Sequence, residues 1–232
     1  MISQSTWNKE ISLEEALEHF HDGMTLMVGG FGGVGNPPTL IQGLLEKQIK
    51  GITLISNDTA FPDIGVGRFI TQRRVKKVIA SHIGSNPNAG AQMTAGELEV
   101  EFCPQGILAE RVRAGGVGLG GILSDIGIGT IAEEGKQQVI VDGKTFLIET
   151  PLTAQVAIVS AKKADRFGNL VFDTSARNFN PLVAMAGDIT IVEAEEIVEI
   201  GELDPEEIVT PGVFVTYIVQ SEGVNWRWAW EK

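Results

Sequence analysis

From Ser12 to Gly115, short apolar runs alternate with helical patterns, and this alternation constrains the fold more than any other feature of the chain. Thr25–Val28, ITLIS at 52–56, VKKVIAS at 75–81 and ELEVEFC at 97–103 read as strands. Helices are expected at LEEALEHFHDG after Ser12, near 38–49, near 64–72 and near 107–113. Ser12 and Glu15 are spaced as a capping box for the first helix, and Gly23 is placed to end it. Strand and helix in repeated alternation predict an α/β fold with a largely parallel sheet flanked by helices. After Gly115 the stretch AGGVGLGGILSDIGIGT holds seven glycines in seventeen residues and reads as a long ordered loop, not a regular element. Apolar runs resume at 139–141, 146–149, 156–165, 168–172 and 188–199. No linker, charge block or fixed-period repeat divides the chain, so residues 1–232 are expected to form a single domain.

A formal net charge of −12 argues against nucleic acid or an anionic membrane as partner, because neutralising phosphates requires a dense Lys/Arg patch. The longest basic cluster, Arg73-Arg74-Val75-Lys76-Lys77, reads as a solvated helix end leading into a strand. One cysteine, Cys103, excludes an internal disulfide. The first residues lack the charged-then-apolar pattern of a secretory signal, and no apolar stretch reaches the ~18 residues of a membrane span. A cytoplasmic location is expected.

The segment VGGFGGVGNPP, Val28 to Pro38, puts five glycines into eleven positions between a strand and a helix. Gly30, Gly32 and Gly35 satisfy G-x-G-x-x-G, the fingerprint of a dinucleotide loop. Two details work against that reading. Asn36 as N-cap and Pro37 at the first helical position would start the helix only after the loop, whereas the fingerprint places its third glycine inside the opening turn. Asp58 lies 28 residues beyond Gly30, too far for the ribose-binding acid expected about 20 residues on. A structural turn and a loop for some other anionic ligand remain open beside an NAD(P)-binding module.

Other candidates carry their own alternatives. Glu97, Glu99 and Glu101 share one face of a strand, either a catalytic carboxylate row or a wet surface. Pro104-Gln105-Gly106 turns at the end of that strand, where open α/β sheets place ligand groups; the Gln105 amide can donate to a developing oxyanion or merely be exposed. Asn57-Asp58 ends its strand in the same layer and offers a substrate hydrogen bond or a cap. His19, His21 and His82 are scattered without metal-ligand spacing, and Cys103 reads as structural. Arg177, in the polar segment Ser175–Pro181, is either an anion ligand or a staple. The glutamates from Glu193 to Glu207 read as a solvated acidic surface. Trp226, Trp228 and Trp230 alternate in the tail, for a partner contact or for packing within the chain.

Asp22-Gly23, Leu26-Met27-Val28, Gly29-Gly30-Phe31, Gly35 and Pro37 together resemble the signature of the alpha (A) subunit of family I (3-oxoacid) CoA-transferases. The resemblance runs on through ELEVEFCPQGILAERVRAGG, GLGGILSDIGIGT, GNLVF and SARNFNP, nearly the whole chain. It is strongest toward alpha subunits of acetate and butyrate–acetoacetate CoA-transferases, and extends to the N-terminal half of succinyl-CoA:3-oxoacid enzymes. The resemblance implies a CoA-transferase type α/β fold and ping-pong transfer of CoA through a glutamyl-CoA thioester, with acyl-CoA as substrate and no permanently bound cofactor or metal. The nucleophilic glutamate of such enzymes belongs to a beta subunit, in a Ser-Glu-Asn-Gly type motif, and Glu-Asn-Gly is absent from this sequence. A hetero-oligomer, alpha2beta2 or alpha4beta4, is therefore implied. By the same resemblance Gly29, Gly30, Phe31, Gly32, Gly33, Val34 and Gly35 form a CoA loop, Gln105 helps to form an oxyanion hole, and Asn57 lies near the substrate. The strand glutamates fall back to surface residues. A non-catalytic acyl-CoA-binding scaffold is the other alternative.

Overall fold

The computed structural model describes residues 7–229 and Glu231. Its centre is a sheet in the order β11-β10-β8-β1-β2-β3-β4, every adjacent pair parallel, with β9 added antiparallel to β8. The strands are β1 (Thr25–Val28), β2 (Ile52–Ser56), β3 (Val75–Ala80), β4 (Glu99–Phe102), β8 (Ala154–Asp165), β9 (Leu170–Val171), β10 (Gly187–Val198) and β11 (Tyr217–Gln220). Both faces of this sheet are covered, as parallel sheets require. Leu26, Val28, Leu54 and Val78 face one core with Phe20, Leu40, Leu44 and Phe69; Met27, Ile55 and Ile79 face the other with Leu108, Val112 and Val183. The helices on the first side are α1 (Leu13–Leu17), α2 (Pro38–Glu46), α3 (Gly67–Thr71) and α4 (Pro87–Thr94); α5 (Gln105–Gly116) and α6 (Asn180–Met185) cover the second.

The chain leaves β1 toward β2 on one side and later returns to place β8 on the other. In open α/β sheets this reversal opens a crevice at the carboxyl ends of the strands. The glycine segment, Asn57-Asp58, Ser81-His82 and Gln105 follow β1, β2, β3 and β4, so all four lie along that edge.

The capping box forms, with Ser12 Oγ accepting from Glu15 N and Glu15 Oε2 accepting from Ser12 N. The first helix nevertheless stops at Leu17, short of Gly23. Two expectations change near α2. Pro37 is the N-cap and Pro38 the first helical residue; the Asn36 side chain instead turns inward, donating Nδ2 to Gly29 O at 2.6 Å and accepting from Val66 N at 3.0 Å. The glycine-rich stretch is also more regular than expected. Gly115 and Gly116 complete α5 because helix and neighbours meet there at close range: a Cβ on Gly115 would lie 2.1 Å from Leu152 O. Beyond them Ile122–Ser124 forms β5, which joins β7 (Lys144–Glu149) and β6 (Gln138–Val141) in a small antiparallel sheet. Helix α4 was not signalled by apolar periodicity; Asn86, accepting from Asn88 N, and Pro87 start it.

Glu193 departs furthest from its expected place. It is fully buried, not part of a solvated acidic surface. Its carboxylate accepts from Thr39 Oγ1, Leu40 N and Ser221 Oγ and so sits at the N-terminal end of α2, where the helix dipole favours negative charge. Burial still pushes its pKa up, against those hydrogen bonds.

Candidate active site

The loop after β1 is a built object. Phe31 and Val34 exchange backbone hydrogen bonds at 2.9 and 3.0 Å around Gly32-Gly33, whose φ values of +57° and +94° belong to a turn that side chains resist. Gly35 has φ +77°, and a Cβ there would meet Ala176 O at 2.5 Å. Three asparagines hold the loop from outside. Asn36 ties Gly29 to Val66; Asn178 Nδ2 donates to Val34 O at 3.0 Å, and Asn180 Nδ2 to Gly35 O at 3.0 Å. The polar segment 175–181 thus acts as a staple through Asn178 and Asn180, while Arg177 stays exposed. Among the described residues no acceptor is bonded to the backbone amides of Gly30, Gly33 and Gly35.

Beneath the loop a hydrogen-bonded chain crosses the strand ends. Gln105 Nε2 donates to Asn57 Oδ1 at 2.6 Å. Asn57 Nδ2 donates to Asp58 Oδ2 at 2.8 Å, and the same oxygen accepts from Gly32 N at 2.9 Å. Asn57 and Asp58 are buried, whereas Gln105 is exposed. Ser81 Oγ donates to Asn57 O at 2.7 Å and lies 3.0 Å from His82 Nδ1, and the His82 ring stands 6.0 Å from Phe31, which is 50% exposed at the loop tip. The predicted residues Gly29 to Gly35, Asn57 and Gln105 therefore converge on one edge. Asp58, offered with Asn57 for a substrate hydrogen bond or a cap, joins them, and so does the Ser81-His82 pair, whose only signal in the sequence is a position just after a strand.

The other candidates lie elsewhere. Glu99 and Glu101 both pair with Lys77, at 2.9 and 3.0 Å, and Glu101 also pairs with the buried Arg111 at 2.9 Å. Burial alone would raise the Glu101 carboxyl, but hydrogen bonds from Arg111 and Lys77 outweigh it and hold the pKa below its ordinary value. Glu97 pairs with Arg73 at the surface. Cys103 is buried with Sγ 3.7 Å from Arg111 Nη1, and burial pushes its thiol pKa up. His19 stacks on Tyr217. Trp226 and Trp228 meet edge to face at 5.8 Å, and the Trp228 ring backs onto Gly33, so this part of the tail packs on the glycine loop. Trp230 lies outside the described residues. Among the described residues no group of His, Cys, Asp and Glu is arranged to hold a metal ion, and no helix is long and apolar enough to cross a membrane.

Chemically, this edge offers amide donors from loop and side chain, and the buried Asp58 carboxylate is already occupied by donors. It can stabilise negative charge on a carbonyl or phosphate oxygen. Residues 11–221 match the Coenzyme A transferase family. The chain is 58% identical over 226 residues to a probable coenzyme A transferase subunit alpha of Bacillus subtilis, covering 97% of this chain and 99% of that protein. It is 53% identical over 214 residues to the acetate CoA-transferase subunit alpha of Escherichia coli K12, covering 92% and 97%. Among solved structures, an acyl-CoA transferase of Escherichia coli O157:H7 in a thioester complex with CoA superposes with a TM-score of 0.81 at 23% identity; the match covers 94% of this chain but only 48% of that one.

Proposed function

The chain belongs to the coenzyme A transferase family as an alpha-type subunit, and from that premise we propose that it forms the oxyanion-stabilising half of a shared active site. The partner is a beta subunit that brings the nucleophilic glutamate, in an alpha2beta2 or alpha4beta4 assembly working in the cytoplasm. The observation that carries this reading is the chain Gln105–Asn57–Asp58–Gly32, which gathers amide donors at the strand ends and occupies the Asp58 carboxylate with them.

In the proposed reaction the partner's glutamate attacks the thioester carbonyl of an acyl-CoA. The C–S bond breaks, giving an acyl-glutamyl anhydride and CoA thiolate. The thiolate attacks the glutamyl carbonyl, releasing the first acid and leaving a glutamyl-CoA thioester. An incoming carboxylate then attacks that thioester, expelling CoA thiolate and forming a second anhydride; the thiolate attacks its acyl carbonyl, so the acid leaves as a CoA ester and the glutamate is restored. Each attack puts negative charge on a carbonyl oxygen. The second N–H of the Gln105 amide is the donor we assign to that charge, and the unbonded amides of Gly30, Gly33 and Gly35 receive a thioester oxygen or a CoA phosphate. Coenzyme A is a substrate here, not a resident cofactor. The acids are short-chain: acetate, as the name of the Escherichia coli relative suggests, with butyrate and acetoacetate added by the sequence resemblance.

The test is a transfer assay on the co-purified pair with acetyl-CoA and acetate, butyrate, acetoacetate or succinate as acceptor. Formation of a new acyl-CoA from a short-chain acid is expected. Tight NADH binding with no response to acyl-CoA in a thermal-shift measurement would instead favour a dinucleotide module.

A further inference from the structure

Asp58 takes no part in the transfer steps, yet its contacts point to a specific role. The carboxylate is 3% exposed. Oδ2 accepts from Asn57 Nδ2 at 2.8 Å and Gly32 N at 2.9 Å, and Oδ1 accepts from Ala60 N at 2.6 Å. All three of these bonds come from N–H groups, so toward its neighbours the carboxylate acts only as an acceptor. It therefore compels Asn57 to point its NH2 group at Asp58 and its Oδ1 the other way. Gln105 in turn must meet that oxygen with its own NH2 group, as it does at 2.6 Å. Nothing in the shape of either amide enforces this, because the two ends of an Asn or Gln amide are nearly the same size. The polarity of both is set by the one group in the chain that only accepts.

We propose that Asp58 is a positioning residue: through Asn57 it fixes which corner of the Gln105 amide donates into the crevice, and through Gly32 it holds the glycine loop over the same point. The proposal rests on the CoA-transfer reading given above. Without the carboxylate, Asn57 is free to turn over, Gln105 answers with Oε1, and its donor moves to the other corner of the amide. A misplacement of about 1 Å at a reacting centre is enough to cost about 100-fold in rate.

The test is a double-mutant cycle on the co-purified holoenzyme, with Asp58→Ala and Asp58→Asn each made alone and with Gln105→Ala. Asp58→Ala is expected to lower kcat about tenfold or more, and by a several-fold smaller factor once Gln105 is alanine, the remaining loss coming from the Gly32 contact. Asp58→Asn keeps one acceptor oxygen and recovers part of the loss; it also serves if the alanine variant fails to fold. An equal factor in both backgrounds, or wild-type kcat in Asp58→Asn and Asp58→Ala alike, overturns the proposal. A second readout needs no turnover. In holoenzyme whose alpha chain carries 15N-glutamine, the side-chain signal lost in Gln105→Ala should shift in Asp58→Asn, and an unmoved signal also overturns the proposal. Absence of any transfer by the wild-type pair would sink the transferase reading instead, leaving the amide signal to decide the role of Asp58.

Discussion

Gln105 Nε2 donates to Asn57 Oδ1 at 2.6 Å, joining the first residue of α5 to the residue that follows β2. The bond uses one hydrogen of the amide and leaves the second for a ligand. Gln105→Ala should therefore lower kcat of the assembled pair while leaving assembly and melting temperature nearly unchanged. We expect a loss of about 10- to 100-fold, below the ~10²–10³ seen when an enclosed oxyanion donor is removed, because this side chain is exposed. Steady-state kinetics beside size-exclusion profiles check it; unchanged kcat would remove Gln105 from the mechanism.

The glycine loop should be sensitive by position and not by glycine content. At Gly35 a Cβ would lie 2.5 Å from Ala176 O and 2.8 Å from Asn180 Nδ2, so Gly35→Ala should cost about 1–3 kcal/mol of stability and most of the activity. Gly32→Ala meets nothing within 4 Å and carries only the penalty for its positive φ, about 1–2 kcal/mol. Thermal melts of the two should rank Gly35→Ala as the less stable.

Glu193 gives the stability a pH dependence of known sign. Its folded pKa is raised, with burial the main cause. The folded state thus holds the proton more tightly than the unfolded chain. That contribution is fully present below the ordinary glutamate pKa and is lost as pH rises through the raised folded value. Glu193→Gln keeps one acceptor oxygen for Leu40 N and replaces the other by an NH2 donor, from which the Thr39 and Ser221 hydroxyls can turn to accept. Melting temperatures should show the variant gaining on the wild type as pH increases across that window. A difference independent of pH would contradict this.

Trp228 backs onto Gly33, with its ring 3.3 Å from where a Cβ would lie. Trp228→Ala should leave the fold in place but loosen the loop, raising KM for acyl-CoA more than it lowers kcat. If KM is unmoved, the tail does not support the loop.

Legibility in the sequence followed locality. The β1 to β4 alternation was readable because each strand is a short apolar run closed by a turn, and the parallel sheet came with it. In the small antiparallel sheet β6 and β7 show as the apolar runs at 139–141 and 146–149, but β5 is hidden because Gly115, Gly116, Gly120 and Gly121 look like loop, although the first two are helical glycines in close approach to Leu152 and Met185. Glu193 was misplaced because a run of acids resembles a wet surface, and its partners Thr39 and Ser221 are far along the chain. In the site, Gln105 and Asn57 were visible as polar residues at strand ends. The orienting role of Asp58 was not, since it depends on hydrogen bonds to Gly32, Asn57 and Ala60 that only the folded loop creates.

The central claim is that this chain supplies donors and its partner supplies the nucleophile. Intact-mass spectrometry of the purified pair after incubation with acyl-CoA, without acceptor acid, tests it most directly. The account predicts a CoA adduct on the beta subunit and none on this chain; an adduct on a residue of this chain would contradict it.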